Sequence, residues 1–393
     1  MGIDQVMGSS LLASINPFVG GVGGTLLSFL VVLTVVVFFH ELGHFLIARL
    51  AGVRVLVFSI GFGPELIGFN DRHGTRWKIS AIPLGGYVKF FGDESAASTP
   101  DQAALPAMTE AERRDSFFHK KVGWRAAIVA AGPIANFLLA IVIFSAIFMF
   151  YGKPSTSAIV DEVVPGSPAV AAGFQAGDIV REIDGKTITS FEDIKQIVTL
   201  SAGEPLTFVV ERGGVRTTLQ ATPRLEEEKD AFGNVHRGGM LGIKRTGTAG
   251  DRNLEKLPPI RAVSLAVDQT WRIIASSVKY MSRLVVGRES ADQLGGPIRI
   301  AQLSGQVATL GLDAFLHWIA VISVSIGFLN LFPIPLLDGG HLLFYAIEAV
   351  RGRPLSDRAQ ELGFRIRLAI VLMLMVFTTF NDIYQWVSQR ISS

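Results

Sequence analysis

The chain has 393 residues, room for two or three domains, and its 49% hydrophobic and 18% charged content is more apolar than a soluble protein requires. A formal net charge of +2 gives no electrostatic case for nucleic acid, and none is expected as a partner. Cysteine is absent, which excludes disulfides and thiolate ligands and leaves histidine and carboxylate as the donors for any metal.

Residues 1–25 form a glycine-rich N-terminal segment. Up to residue 24 its only charged side chain is Asp4, and it lacks the basic stretch of a cleaved signal peptide. Residues 26–48 follow as a first transmembrane helix. They are apolar on every face, and at about 1.5 Å per residue they reach roughly 34 Å, enough to cross a bilayer. Within this span stands His40-Glu41-Leu42-Gly43-His44. Two histidines four apart share one helix face, the HExxH arrangement that holds zinc, with the glutamate placed to activate water. A soluble amphipathic helix with two satisfied histidines is the plain alternative, and the uniformly apolar flanks argue against it. Ionisable groups at membrane depth are costly and usually functional.

Residues 49–125 form a loop in which strands are expected around Gly61-Phe62-Gly63-Pro64 and over Arg76–Ile82, with a turn at Asp71–Thr75. A second span covers 126–151, interrupted early by Gly132-Pro133. A third covers 314–340 and a fourth 366–388. The 49–125 loop holds 11 Lys and Arg, and Arg351–Arg367 holds five Arg, so both are expected in the cytoplasm. Both termini and residues 152–313 then lie outside.

Between the second and third spans the chain reads as a soluble domain. A strand is expected over Ala158–Val164, a turn and short helix at Pro165-Gly166-Ser167-Pro168, and a hairpin at Asp184-Gly185. A helix over Phe191–Leu200 and strands at Leu206–Arg212 and Val215–Thr222 complete it. This order resembles a bacterial PDZ domain over 155–223, a module that adds an extended peptide to a sheet edge; a spacer or steric plug is the alternative. Residues 224–260, with Glu226-Glu227-Glu228 and Pro258-Pro259, are expected to be a linker. Over 261–287, Val263, Val267, Trp271, Ile274, Val278, Met281 and Val285 recur three and four apart. That stripe suits a helix lying on the membrane surface, or equally one packed on the PDZ domain.

Two histidines leave a catalytic zinc one protein ligand short. The candidate is Asp338, at the end of Asn330-Leu331-Phe332-Pro333-Ile334-Pro335-Leu336-Leu337-Asp338-Gly339-Gly340-His341. Two prolines break a helix, and such backbone is tolerated at membrane depth only where protein or water lines it. The alternative is that they end the span and Asp338 caps the next helix. The remaining histidines, His73, His119, His236, His317 and His341, match no ligand motif.

HExxH paired with N-x-x-P-x-P-x-L-D-G resembles the signature of the site-2 protease family of intramembrane zinc metalloproteases, in its bacterial regulator-of-sigma-E form with a single PDZ domain. Gly132-Pro133-Ile134-Ala135-Asn136, Ile82-Pro83-Leu84-Gly85-Gly86-Tyr87-Val88-Lys89 and Leu294-Gly295-Gly296-Pro297-Ile298 extend the likeness over nearly the whole chain. The resemblance implies zinc held by His40, His44 and Asp338, with Glu41 as general base. It places Asn136 near the active site as a substrate-backbone or oxyanion contact, and Asn330, Pro333, Pro335, Gly85 and Gly86 against the substrate. It implies a polytopic α-helical membrane protein with about four transmembrane helices, a membrane-associated β-hairpin and an inserted α+β PDZ domain. Its expected setting is the bacterial inner membrane, with the PDZ domain outside, where a peptide or C-terminus can bind it. The implied function is regulated intramembrane proteolysis of single-span proteins in the lipid bilayer, of the anti-sigma-factor or signal-peptide-remnant type. Other readings are a membrane-anchored zinc protease acting on soluble-phase peptides, a non-enzymatic PDZ membrane scaffold, and a zinc transporter.

Overall fold

The computed structural model describes residues 21–93, 107–155, 157–229, 235–245, 253–286, 296–333, 337–353 and 373. They form two compact units: one comprises the described residues up to Phe144, Leu265–Ile274 and those after Leu294, and the other those within Ser145–Ser264 and Ala275–Gln293.

In the first unit, helix α1 (Gly21–Leu50) is apolar all round and carries the HExxH motif in its second half. Two bent strands follow, β1 (Val55–Asn70) and β2 (Arg76–Phe90), paired antiparallel. The inner part of β1, Val57–Ile60, faces Lys89–Gly86 on one side and Arg76–Ile79 on the other, while the outer part, Glu65–Asn70, pairs with Ser80–Arg76. The bend in β1 falls at Gly61 (φ +88°), where a Cβ would stand 2.8 Å from the Ile82 carbonyl oxygen. The turn at Asp71–Thr75 forms as expected: Asp71 Oδ1 accepts from the His73 and Thr75 N–H groups, each at 2.9 Å, and Arg49 Nη2 donates to Oδ2 at 2.5 Å. Phe58 stacks on Trp77 at 4.1 Å, and the edge of Phe45 meets both, which fastens the sheet to α1.

A short helix, α2 (Glu110–Asp115), is closed at its start by a Thr109–Glu112 capping box. Helix α3 (Val122–Phe150) then runs unbroken through Pro133, where the sequence reading expects an interruption. Proline removes one backbone donor and loosens the turn before it. In that turn the Ile128 carbonyl accepts a hydrogen bond from outside the helix, from His44 Nδ1 at 2.8 Å.

The second unit begins with β3 (Lys153–Ser155), β4 (Glu162–Val163) and the single turn α4 (Pro168–Ala171). Next come β5 (Ile179–Ile183), β6 (Lys186–Thr187), α5 (Phe191–Thr199), β7 (Leu206–Arg212) and β8 (Val215–Ala221). Four of these strands make a sheet of order β6-β5-β7-β8 over a core containing Val160, Val180, Ile183, Ile194, Phe208 and Val210. The Asp184-Gly185 hairpin has both residues at positive φ, 49° and 75°, as a type I′ turn requires. The strand expected over Ala158–Val164 is reduced to β4 and one bridge, Ile159 to Ile179.

Residues 224–260 are not a linker. They contain β9 (Arg224–Lys229) paired with β10 (Val235–Met240), β11 (Ile243–Lys244) paired with β4, and β12 (Asn253–Glu255) paired with β3. The acidic run reads as solvated chain, but on β9 the Glu226–Glu228 backbone is laddered to Gly238–His236. Leu241, between β10 and β11, is buried in the core.

Helix α6 (Pro259–Val285) packs on the second unit, one of the two readings of 261–287. Its polar side chains grip the end of α5: Gln196 bonds Ser276 at 3.0 Å, Lys279 bonds Ser201 at 3.1 Å, and Arg283 donates to the Leu200 and Ala202 carbonyls. Val263, Val267, Trp271 and Val278 stay exposed.

Back in the first unit are α7 (Pro297–Ala308), α8 (Leu312–Leu331) and α9 (Asp338–Arg351). The third span, expected over 314–340, is thus helical only to Leu331; Phe332 is extended, and Asp338 opens a new helix. Pro335 and the fourth span at 366–388 lie outside the described residues. Among the described residues three helices, α1, α3 and α8, are long and apolar enough to cross a membrane.

Two buried carboxyls give opposite pH signatures. Asp178 is fully buried, and burial raises its pKa, but hydrogen bonds from Arg212 (2.7 and 2.8 Å) and the Gln175 N–H (2.8 Å) outweigh this and hold it below the usual carboxylate value. Arg212→Leu should therefore cost about 1–3 kcal/mol above pH 4, seen as lost hydrogen-exchange protection of β5 and β7 in the detergent-solubilised chain. Burial pushes Asp93 up to about 7, against the Phe90 N–H (2.7 Å) and the Lys89 charge. The folded chain then binds more protons than the unfolded chain between about pH 4 and pH 7, and this contribution to stability falls as pH rises through that window. Asp93→Asn should gain stability over the parent at pH 8 and lose the advantage near pH 4, measured by thermal unfolding across pH.

Candidate metal centre and active site

The first unit brings His40, His44 and Asp338 together. His40 Nε2 lies 3.1 Å from Asp338 Oδ2, His44 Nε2 lies 3.5 Å from Asp338 Oδ1, and the two Nε2 atoms are 3.2 Å apart. A tetrahedral zinc with bonds of about 2.0–2.1 Å has edges of about 3.3–3.4 Å, so the three groups outline one face of such a site. The chemistry of the donors agrees. The Ile128 carbonyl can only accept, so His44 Nδ1 carries the proton and Nε2 offers a lone pair. Asp338 Oδ2 is buried without a hydrogen-bond donor. Electron-rich atoms this close call for a cation among them. The cluster could hold a metal ion.

Glycines make the room. A Cβ on Gly43 would stand 2.2 Å from the Ala131 carbonyl oxygen, and one on Gly132 would stand 2.3 Å from His44 Nε2 and 2.9 Å from His40 Cε1. Helices α1 and α3 therefore touch backbone to backbone, and α3 presents a bare Cα to both imidazoles. A cavity of about 210 Å³ opens on the cluster, lined also by Glu41, Gly86, Tyr87, Val88, Asn330, His341 and Tyr345. The Val88 N–H hydrogen-bonds the Glu41 carboxylate, and Gly86 lies against the Glu41 stem, where a Cβ would meet Cγ at 3.1 Å. Strand β2 thus passes directly beside the glutamate.

The other expected residues scatter. Asn330 lines the cavity. Gly85, at φ +131°, packs under the Phe62 ring, and Pro333 is exposed in the break after α8. Asn136 is wholly buried; its Nδ2 is 3.2 Å from His40 Nδ1, and its carbonyl accepts from Ser323 Oγ at 2.8 Å. His341, which matches no ligand motif but stands out among the remaining histidines for its nearness to Asp338, lines the same cavity. Its position three residues after Asp338, on one helix face, was the available signal.

Comparison with known proteins accounts for this constellation. Residues 28–374 match the family model described as Peptidase family M50. A protein of Rhizobium meliloti (strain 1021) named as a zinc metalloprotease is 52% identical over 359 residues, covering 91% of this chain and 96% of that one. Another so named, from Agrobacterium fabrum, is 51% identical over 364 residues (93% and 97%). Metalloprotease MmpA of Caulobacter vibrioides is 44% identical over 383 residues (92% and 96%). Among solved structures, the PDZ domain of an SdrC-like protein from Listeria innocua is similar at 22% identity and TM-score 0.19, covering 23% of this chain and 96% of its own. The chain belongs to peptidase family M50, the site-2 proteases. It is an integral membrane zinc metalloprotease.

If the bare face of α3 is what admits the metal, Gly132→Ala should weaken zinc binding by roughly 10–100-fold. Chelator competition on purified protein would measure this, with helical circular dichroism unchanged.

Proposed function

We propose that His40, His44 and Asp338 are the zinc ligands and Glu41 the general base of an intramembrane protease that cuts single-span proteins in or near their transmembrane segment. The observation that carries this is the convergence of the ligand set and Glu41 in one cavity, on a helix apolar along its whole length. Bound zinc would supply a Lewis acid for the scissile carbonyl and lower the pKa of water to about 7. Glu41, steadied by the Val88 N–H, takes the proton from the attacking water and returns it to the leaving amine. Asn330, on the cavity wall, is placed to hold the substrate backbone.

A peptide bond inside a helix is poorly exposed, so the substrate must unwind first. The 86–90 run of β2 offers a partner for the unwound stretch. It is paired on one side with Val57–Ile60, and it carries Gly86 and Val88 past Glu41. Backbone pairing along such an edge gives affinity without demanding sequence. Phe62, Leu66, Ile67, Phe69 and Ile82 are exposed on the same sheet, which suits a hairpin dipping into the bilayer. Pro333, exposed just after α8, is a candidate contact of the substrate path.

The excess of Lys and Arg in the 49–125 loop and in Arg351–Arg367 supports a second unit on the extracytoplasmic side of the bacterial inner membrane. Its PDZ-type strand order fits the binding or exclusion of a chain terminus, so that only trimmed substrates proceed. The exposed stripe of α6 fits the membrane surface. Anti-sigma factors and signal-peptide remnants are the expected substrate class, in regulated intramembrane proteolysis.

The test is cleavage of a labelled single-span protein by the purified enzyme in liposomes, with and without a chelator. Glu41→Gln should lower turnover by about 10²–10⁴-fold with zinc retained, whereas Asp338→Asn should lose zinc. Equal cleavage of a free soluble peptide would favour the membrane-anchored alternative, and undiminished proteolysis by Glu41→Gln would overturn the assignment.

A further inference from the structure

The two metal-facing histidines are held from behind in different ways. His44 Nδ1 bonds the Ile128 carbonyl, a pure acceptor, which leaves one tautomer. His40 Nδ1 instead faces the side-chain amide of Asn136 at 3.2 Å. That amide has no exposed surface, and its Oδ1 is buried with no hydrogen-bond partner. A half-turn of the amide exchanges oxygen for nitrogen at almost no steric cost and puts the unpaired oxygen where it can accept. His40 Nδ1 then carries the proton, and Nε2 turns its lone pair toward Asp338 and His44. Asn136 does not line the cavity and meets the ring at the nitrogen away from the metal.

We infer that Asn136 is a positioning residue for His40: its amide oxygen accepts from Nδ1–H, which sets the ring's angle and the tautomer that can ligate. This replaces the substrate or oxyanion contact expected of that residue. The carbonyl on the same residue accepts from Ser323 Oγ at 2.8 Å, which ties this stretch of α3 to α8. The inference rests on the assignment of His40 as a zinc ligand.

Zinc affinity is the discriminating readout, measured by chelator competition on the purified full-length protein, beside kcat and KM on a labelled single-span substrate. Asn136→Leu should weaken zinc binding by about 10–100-fold, the usual effect of losing a partner of a metal-bound imidazole. Asn136→Asp, which can only accept, should hold zinc within about threefold of the parent and keep a kcat well above that of the Leu variant. An oxyanion or substrate contact predicts the reverse: zinc affinity unchanged in both variants and kcat lowest for the Asp variant, whose charge opposes the oxyanion. That result would overturn the inference. If the Leu variant cannot be recovered folded, the Asp variant decides alone: retained zinc with retained kcat supports the inference, and retained zinc with kcat down tenfold or more overturns it. His40→Ala separates the two layers. If it holds zinc as tightly as the parent, the ligand assignment itself fails; if it loses zinc while Asn136→Leu does not, only the role of Asn136 fails.

Discussion

The close approach of α1 to α3 is the contact from which the rest of the site follows. In hydrocarbon no hydrophobic force draws two helices together, and small residues that let backbones touch do the work instead. Gly43 provides this contact, with a Cβ position that would fall 2.2 Å from the Ala131 carbonyl oxygen, and Gly132 leaves room for the imidazoles, with a Cβ position 2.3 Å from His44 Nε2. Because the helices meet there, His44 reaches a carbonyl of α3 and His40 reaches Asn136. One face of each imidazole is thereby fixed and the other is free to face a cation. A metal centre at membrane depth is thus built first as a packing problem.

The third member of the cluster solves a different problem. Asp338 must turn inward from a segment that would otherwise continue as apolar helix, and an uninterrupted helix spreads its side chains round an axis. Helix α8 ends at Leu331 and α9 starts at Asp338, and the cavity on the cluster is lined from both sides of this break, by Asn330 and by Leu337 and Asp338. Glu41 is served by neither device. It is held by the edge of a sheet, through the Val88 N–H. Three unlike elements therefore converge on one small volume: a packed helix pair, a broken helix and a strand.

The second unit follows soluble-protein rules throughout. Its core is aliphatic and aromatic, its hairpin uses Asp184-Gly185, and its buried carboxylate is answered by Arg212. Helix α6 divides its faces: Lys279 and Arg283 spend their charge on hydrogen bonds to the end of α5, while Val267 and Trp271 remain uncovered. Periodicity alone could not find the packed face, because its contacts to α5 are made by polar side chains between the apolar ones.

Residue type and spacing carried part of the chemistry: His40, Glu41 and His44 one helical turn apart, and apolar runs of bilayer length; Asp338 stood open between ligand and helix cap until the family resemblance named it. These features are legible because a ligand pair, a base and a spanning helix are local patterns, set by a period of 3.6 residues and by transfer from water. What the sequence left open was decided by contacts far apart along it. Pro133 reads as an interruption, yet α3 runs through it. The acidic run at 226–228 reads as a linker, yet its backbone is laddered in β9. His341 matches no ligand motif, yet it joins the cavity, and the 3.2 Å approach of the Asn136 amide to His40 Nδ1 is nowhere written in the sequence. In each case the deciding partner is a hydrogen bond or a wall supplied by another element, and a one-dimensional pattern cannot say which backbone a side chain will meet. The residue types of the proposed ligands were a property of the sequence; the orientation of the two imidazole rings came only from the packing of α3 on α1.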